Sequence, residues 1–133
     1  FYSILPLKWS IYFRQKNYAK AMDDNVSEWY NWFINSKMHI PLDAMSTYLV
    51  CLKKLDRDYD LSRLETLMKE TPERKYGYVT NYRLFQLYEE NTYLKNAYDE
   101  IMDLKSNLDK KTGDKFINYP LESEIIEAYQ SIS

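Results

Sequence analysis

Few residues of this 133-residue chain are suited to covalent chemistry, because it contains one histidine, His39, and one cysteine, Cys51. A nucleophilic Ser, Cys or Lys needs an adjacent base that a third group orients, and the sequence shows neither that constellation nor a glycine-rich phosphate loop. Cys51 falls on a predicted apolar helix face, where a thiol packs as a small hydrophobic group. His39 stands at a predicted helix junction, as a surface or capping group. The sequence therefore predicts a protein that is not an enzyme and uses no cofactor.

Carboxylates at alternate positions imitate the start of a calcium-binding loop. Asp56, Asp58 and Asp60 have the spacing at which such loops coordinate a hard cation. Leu61 and Leu67 then occupy the positions of the loop glycine and the bidentate glutamate, so we interpret the segment as a solvated turn between helices. A single histidine and a single cysteine also exclude the usual zinc sites. No metal is expected.

Two acidic pairs, Glu89 with Glu90 and Glu122 with Glu124, have residue types that serve in acid–base catalysis. Such pairs are common on helix surfaces, and nothing in the sequence separates their pKa values. We interpret both pairs as surface charges.

The composition favours one helical domain. A net charge of -2 and a pI of about 5.5 give no overall attraction to phosphate backbones or anionic membranes. Two glycines and four prolines are few for strands joined by tight turns. No stretch approaches the roughly 18 to 20 uninterrupted apolar residues of a membrane span. A lone thiol is compatible with an intracellular, reducing compartment, and a chain that begins at Phe1 is compatible with an excerpt of a longer protein.

An offset of 34 residues brings apolar positions of the chain into register. In one helix face, Ser46 to Tyr48 align with Thr80 to Tyr82, and Val50 and Cys51 align with Leu84 and Phe85. Three further rows have the i, i+3, i+4 spacing of a second helix face: they are Tyr30, Leu64 and Tyr98; Phe33, Leu67 and Ile101; and Ile34, Met68 and Met102. The repeat predicts stacked helix pairs.

The predicted repeat units cover about residues 5–38, 40–71 and 72–109, with a final helix at about 120–132. Helices are predicted at about 7–15, 18–37, 41–55, 62–70, 78–90 and 93–108. Residues 23–25 could interrupt the second of these helices, and the sequence leaves that break open. Ser62 and Glu65 have the spacing of a capping box, and Thr71 to Glu73 are typical of a helix start. Lys110 to Asp114 is predicted to be a loop.

The unit from Tyr78 resembles a tetratricopeptide repeat. Leu84, Tyr88, Ala97 and Ile101 stand at that family's leucine, tyrosine, alanine and large apolar positions. The resemblance covers about residues 38–108 and extends to the related pentatricopeptide family. It implies an all-α, right-handed solenoid of antiparallel helix pairs, with about three pairs plus a C-terminal helix in a single domain of residues 1–133.

In tetratricopeptide stacks the first helix of each pair lines a groove that binds a partner. The resemblance places seven residues of this chain there: Tyr48, Leu49, Leu52, Tyr82, Arg83, Gln86 and Glu90. A guanidinium such as that of Arg83 suits a peptide carboxylate or a phosphate. The implied function is a protein-interaction module that binds a peptide or partner helix, or joins a larger helical array.

The alternative is a pentatricopeptide-like RNA-binding protein, carried by the runs Val79 to Leu84 and Asn96 to Met102. Tyr48 and Tyr82 then occupy base-reading positions, and lysine-rich segments would contact phosphates. The 14 tyrosines, 5 phenylalanines and 3 tryptophans have two interpretations: the rings fill gaps between helix pairs, or some of them line a concave binding face.

Overall fold

The computed structural model describes residues 15–22 and 42–133. Every regular element within these residues is a helix, which confirms the predicted all-α class for this part of the chain. The α-helices are α1 Tyr18–Ala21, α2 Leu42–Lys54, α3 Ser62–Glu70, α4 Tyr78–Tyr88, α5 Asn91–Ser106, α6 Lys110–Phe116 and α7 Pro120–Ile132, and a 3-10 helix covers Glu73–Lys75. The predictions for residues 7–14 and 23–41, including His39, lie outside the described residues.

The chain divides into two compact units, Phe1–Leu67 and Met68–Ser133, with the boundary inside α3. In the first unit, α1 packs against α2. The thiol of Cys51 on α2 donates a hydrogen bond to the carbonyl oxygen of Tyr18, with the two atoms 3.6 Å apart. Cys51 is fully buried, as its apolar neighbours in the sequence predict. The thiol thus packs as a small core group.

Two helices end at residues with a left-handed backbone. Asp56 follows α2 with a φ of 54°, and the next N–H, of Arg57, donates to the Leu52 carbonyl at 3.0 Å. Glu89 follows α4 with a φ of 56° and donates its N–H to the Phe85 carbonyl at 2.7 Å. Glycine usually supplies this conformation. In a chain with two glycines, residues with side chains close these helices instead.

The second unit is organised around α5. The connection from α4 to α5 consists of Glu89 and Glu90, so these closely packed helices run antiparallel. Helix α5 also packs against α6 and α7. Their buried residues form one core cluster: Tyr82, Leu94, Ala97, Ile101 and Ile125. The face predicted for α7 is on this side, because Leu121, Ile126 and Tyr129 pack half-buried around the cluster.

Most predicted helix bounds agree with the structure to within two residues. Helix α3 ends at Glu70 and α7 covers Pro120–Ile132, both as predicted. Helix α2 ends at Lys54, one residue before the predicted end. Helix α5 covers Asn91–Ser106. The connection before it therefore consists of Glu89 and Glu90, and not of Asn91 and Thr92, where the predicted helix bounds place it.

The loop predicted at Lys110 to Asp114 is wrong, because these residues belong to α6. Asp109 caps that helix through its carboxylate, which accepts the Thr112 N–H at 2.9 Å. Gly113 is buried where α6 crosses the end of α5. A Cβ there would lie 3.2 Å from Cγ and 3.3 Å from the carbonyl oxygen of Lys105. This glycine therefore serves a close helix contact and not a turn.

The predicted capping details also differ. Asp60 caps α3, because both the N–H and the hydroxyl of Ser62 donate to its carboxylate at 2.9 Å. The Glu65 N–H donates to the Leu61 carbonyl, so Ser62 and Glu65 form no capping box. Pro72 precedes the 3-10 helix and not an α-helix.

Candidate interaction surface

The seven residues predicted to line a groove differ widely in exposure. Four of them are buried: Tyr48, Leu49, Tyr82 and Arg83. Leu52 and Gln86 are half-buried, and Glu90 is exposed. A partner contacts only what the folded chain exposes. Of the residues of the second unit that were predicted to line a groove, Gln86 and Glu90 are the accessible ones.

Three of the groove residues contact one another on α4. Arg83 Nη1 donates to Gln86 Oε1 at 2.9 Å, and the guanidinium carbon lies 5.7 Å from the centroid of the Tyr82 ring. Tyr48, Leu49 and Leu52 lie on α2 in the first unit. The assignment of a groove stays a prediction.

Two tyrosine hydroxyls of α4 bind glutamates of α7. Tyr78 donates to Glu122 Oε2 at 2.7 Å, and Tyr82 donates to Glu124 Oε2 at 2.6 Å. The interpretation of Glu122 and Glu124 as a plain surface pair is therefore wrong for Glu122, which is buried. A buried carboxylate needs hydrogen-bond donors, and the Tyr78 phenol supplies one. These bonds hold α7 against α4.

A glutamate of α5 caps the start of α4. Gly77, the residue before α4, has no side chain with which to cap the helix. Burial raises the pKa of Glu100, the hydrogen bond from the Tyr78 backbone N–H opposes that shift, and the charge of Asp103 adds to it. Glu100 thus satisfies a first-turn N–H that has no partner within the helix.

Three tyrosines of the second unit, Tyr76, Tyr88 and Tyr93, form what we name the tyrosine patch. The hydroxyls of Tyr76 and Tyr88 both point at Met68, with distances of 3.3 Å to its carbonyl oxygen and 4.0 Å to its sulfur. The ring centroids of Tyr88 and Tyr93 are 6.3 Å apart. Tyr76 is buried and the other two are half-buried.

Exposed carboxylates flank the tyrosine patch. Glu73 and Glu90 each precede one of its tyrosines by three residues, and the tyrosine N–H donates to the glutamate carbonyl, at 2.9 Å for Tyr76 and 3.2 Å for Tyr93. Burial raises the pKa of Tyr93, and the charges of Glu90 and Glu73 raise it further. Burial, Tyr93 and Glu73 likewise raise the pKa of Tyr76. The negative charges of Glu73 and Glu90 therefore act on these tyrosines in addition to burial.

The sequence did not predict this surface, although Glu90 was predicted to line a groove. A signal was present, because the spacing Glu-x-x-Tyr occurs at residues 73–76 and again at 90–93. What the spacing does not contain is the electrostatic effect of Glu73, in the first copy, on Tyr93, in the second.

A separate cavity of about 290 Å³ lies between the start of α5 and the end of α7. It is lined by Asn91, Thr92, Lys95, Tyr129, Ile132 and Ser133. The Lys95 ammonium is already paired with Asp99, with N and O atoms 2.6 Å apart. The lining thus mixes polar and apolar groups with no unbalanced charge from that lysine.

Within residues 15–22 and 42–133, no three His, Cys, Asp or Glu side chains are placed to hold a metal ion together. In the same ranges, no helix combines the length and the apolar character needed to cross a membrane. Comparisons with protein-family models, curated proteins and solved structures gave no significant match.

Proposed function

We propose that this chain is a non-catalytic protein-interaction module: a tetratricopeptide-like, right-handed stack of antiparallel helix pairs that binds a peptide or partner helix, or joins a larger helical array. The observation that carries the proposal is the burial of α2 and α4. Four consecutive residues of α2, Tyr48 to Cys51, are buried, as are five consecutive residues of α4, Thr80 to Leu84. A helical turn contains 3.6 residues, so each helix is buried on all sides over that turn.

Helices α3 and α5 show a different pattern of burial. Helix α3 buries only Leu64 and Leu67, and α5 buries only Leu94, Ala97 and Ile101. These positions form a single stripe on each helix. Surrounded helices that alternate with one-sided helices are expected of stacked pairs with an inner and an outer layer.

The burial of positions 34 residues apart also supports the proposal. Ser46 and Thr80 are buried, although both are polar, and so are Tyr48 and Tyr82. Val50 and Leu84 are both fully buried. Equivalent burial at equivalent positions is typical of structural repeats.

The outer side of α7 supports a role as a terminal cap. Its exposed residues along the helix include Glu127, Gln130 and Ser131, whereas Ile125 on the opposite side is fully buried. End repeats of a solenoid need a polar outer face. Helix α7 fits that requirement, so partner contacts are proposed elsewhere on the chain.

A protein partner fits the described surface better than RNA. Tyr48 and Tyr82, at the base-reading positions of the alternative, are 7% and 5% exposed, which leaves little ring surface for stacking on a base. Residues 68–133 also contain nine lysines and arginines against twelve aspartates and glutamates. The resulting net negative charge of these residues disfavours the binding of phosphates.

The proposal can be tested by crosslinking and affinity capture with the 133-residue chain, followed by binding measurements on each purified partner. Substituting Tyr82 or Arg83 would disturb buried packing, so the informative variant is Gln86→Ala with Glu90→Lys, on the accessible part of the predicted groove. We expect this variant to lose a partner that both the parent chain and a Glu127→Lys control bind. Capture of RNA in place of protein, or equal binding by all three chains, would contradict the proposal.

A further inference from the structure

Aromatic rings and carboxylates meet on one face of the second unit. Tyr88 and Tyr93 are neighbours with ring planes 39° apart, and buried Tyr76 shares a hydrogen-bonding partner, Met68, with Tyr88. The face of an aromatic ring carries a partial negative charge and attracts cations. The half-buried rings therefore offer both apolar area and a place for a positive group.

The carboxylates of Glu73 and Glu90 strengthen that preference. Both residues are exposed, and neither carboxylate forms an ion pair with any residue in the described part of the chain. Arg74 and Lys75 follow Glu73 directly, and they too are exposed. Each glutamate nevertheless lies beside the patch, because the N–H groups of Tyr76 and Tyr93 donate to the Glu73 and Glu90 carbonyl oxygens at 2.9 and 3.2 Å. Burial raises the pKa of Tyr93, and the charges of Glu90 and Glu73 add to that shift. A cationic side chain is the group that complements this surface.

Building on the proposed interaction function, we propose that the tyrosine patch, with Glu73 and Glu90, docks a lysine- or arginine-rich segment of a partner protein. A lysine or arginine side chain would place its apolar stem on the half-buried ring of Tyr93. Its charged end would meet the two carboxylates. The excess of acidic over basic residues within 68–133 would attract such a segment from a distance.

The test is a fluorescence anisotropy titration of the 133-residue chain with a labelled peptide of alternating lysine and serine. A peptide of alternating glutamate and serine is the reference and should not bind. We expect Glu73→Gln with Glu90→Gln to weaken binding of the lysine peptide roughly three- to tenfold, since exposed ion pairs each contribute modestly. Raising the salt concentration should weaken binding by the parent chain more than binding by this variant.

The aromatic part is tested by Tyr93→Leu, which should weaken binding about two- to fivefold, whereas Tyr93→Phe keeps the ring and should bind like the parent. Tyr119→Leu, at a tyrosine that is 56% exposed elsewhere on the unit, controls for loss of any surface ring. Asp114→Asn with Glu127→Gln controls for the loss of two negative charges. Thermal unfolding followed by circular dichroism establishes that each variant is folded.

The inference is overturned if Glu73→Gln with Glu90→Gln weakens binding no more than the Asp114→Asn and Glu127→Gln control. It is also overturned if the lysine peptide does not bind the parent chain, or if an RNA oligonucleotide binds at the patch instead. A chain that binds purified protein partners but not this peptide would overturn the inference and leave the proposed function intact. A chain that binds neither would overturn both.

Discussion

Tyr78 joins three helices of the second unit through two of its polar groups. Its phenol donates to Glu122 on α7, with the oxygen atoms 2.7 Å apart. Its backbone N–H donates to Glu100 on α5. Tyr78, at the start of α4, thus contributes to the attachment of that helix to both neighbours.

Replacing Tyr78 with Phe should destabilise the protein by about 1–2 kcal/mol. The substitution keeps the ring, which packs edge-on against Phe116, and removes a donor from the buried Glu122 carboxylate. Urea denaturation followed by circular dichroism measures the change. Tyr98→Phe is the matched control, since no described residue accepts a hydrogen bond from the Tyr98 hydroxyl. Equal effects of the two substitutions would show that the Glu122 bond contributes little.

At the residue scale, the sequence predicted some environments and missed others. Tyr48 and Leu49, which were predicted to line a groove, are buried. The burial of Cys51 follows from the apolar spacing of α2. The burial of Arg83 and Glu122 does not, because a charged residue at a periodic position is normally assigned to the surface. Arg83 is buried next to Gln86 on the same helix. Glu122 is buried next to Tyr78, which lies on a different helix.

At the element scale, α6 is a helix whose sequence is typical of a loop. Its residues Lys110 to Asp114 include threonine and glycine, which weaken helix propensity. The cap from Asp109 and the crossing with α5 at Gly113 favour the helix instead. Hydrogen bonds from Thr112 lower the pKa of the Asp109 carboxyl below its ordinary value of 3.8.

The Asp109 cap should make α6 sensitive to acid. A carboxyl whose pKa is lowered by folding stabilises the folded form above the unfolded pKa, and this contribution is lost as the pH falls through the folded pKa. Amide hydrogen exchange at Thr112 should therefore become less protected below about pH 4. Asp109→Ala should show weak protection of Thr112 at all pH values, whereas Asp114→Asn should behave like the parent. A pH-independent protection of Thr112 in the parent chain would contradict this role.

Helix α7 contributes to stability through its inward face. Ile125 is fully buried in the core cluster, whereas Ile132 near the helix end is 44% exposed. Ile125→Ala should cost about 2–5 kcal/mol through lost burial and a residual cavity, and Ile132→Ala should cost under about 1 kcal/mol. Thermal and urea unfolding of both variants provide the measurement. Similar losses at the two positions would mean that α7 does not pack on the cluster through Ile125.

At the scale of the whole molecule, two features bear on partners. The chain carries a net charge of -2, and the tyrosines predicted to line a groove are buried, whereas Tyr93 of the tyrosine patch lies beside exposed Glu90. Phosphate-rich ligands are disfavoured on both counts.

We expect the chain to show no salt-sensitive retention of RNA in a filter-binding assay at low and moderate salt. The reason is that nucleic-acid affinity depends mainly on phosphate neutralisation by lysine and arginine, with a steep loss as salt rises. A basic RNA-binding domain should be retained under the same conditions and is the control. Retention of RNA by the chain that falls steeply with salt would favour the pentatricopeptide-like alternative.

The sequence by itself determined five helices of the described residues, α2 to α5 and α7, and most of their ends. Apolar periodicity and the position of Pro120 are local properties of the chain, so they predict α3, α5 and α7 within two residues. Local sequence properties did not predict residues whose environment depends on a distant segment of the chain. Gly113 was predicted in a loop but lies in α6, where α5 passes within 3.3 Å of the site where its Cβ would be.

Only the tertiary structure decided the candidate sites, because side-chain partners come from residues far apart in the chain. Tyr78 and Glu122 are 44 residues apart, and Tyr82 and Glu124 are 42 apart, yet their oxygen atoms lie within 2.7 Å. The same packing buries Tyr82 and leaves the ring of Tyr93 partly accessible beside Glu90. Exposure is set by which helices cover a residue, and a repeat pattern does not contain that information.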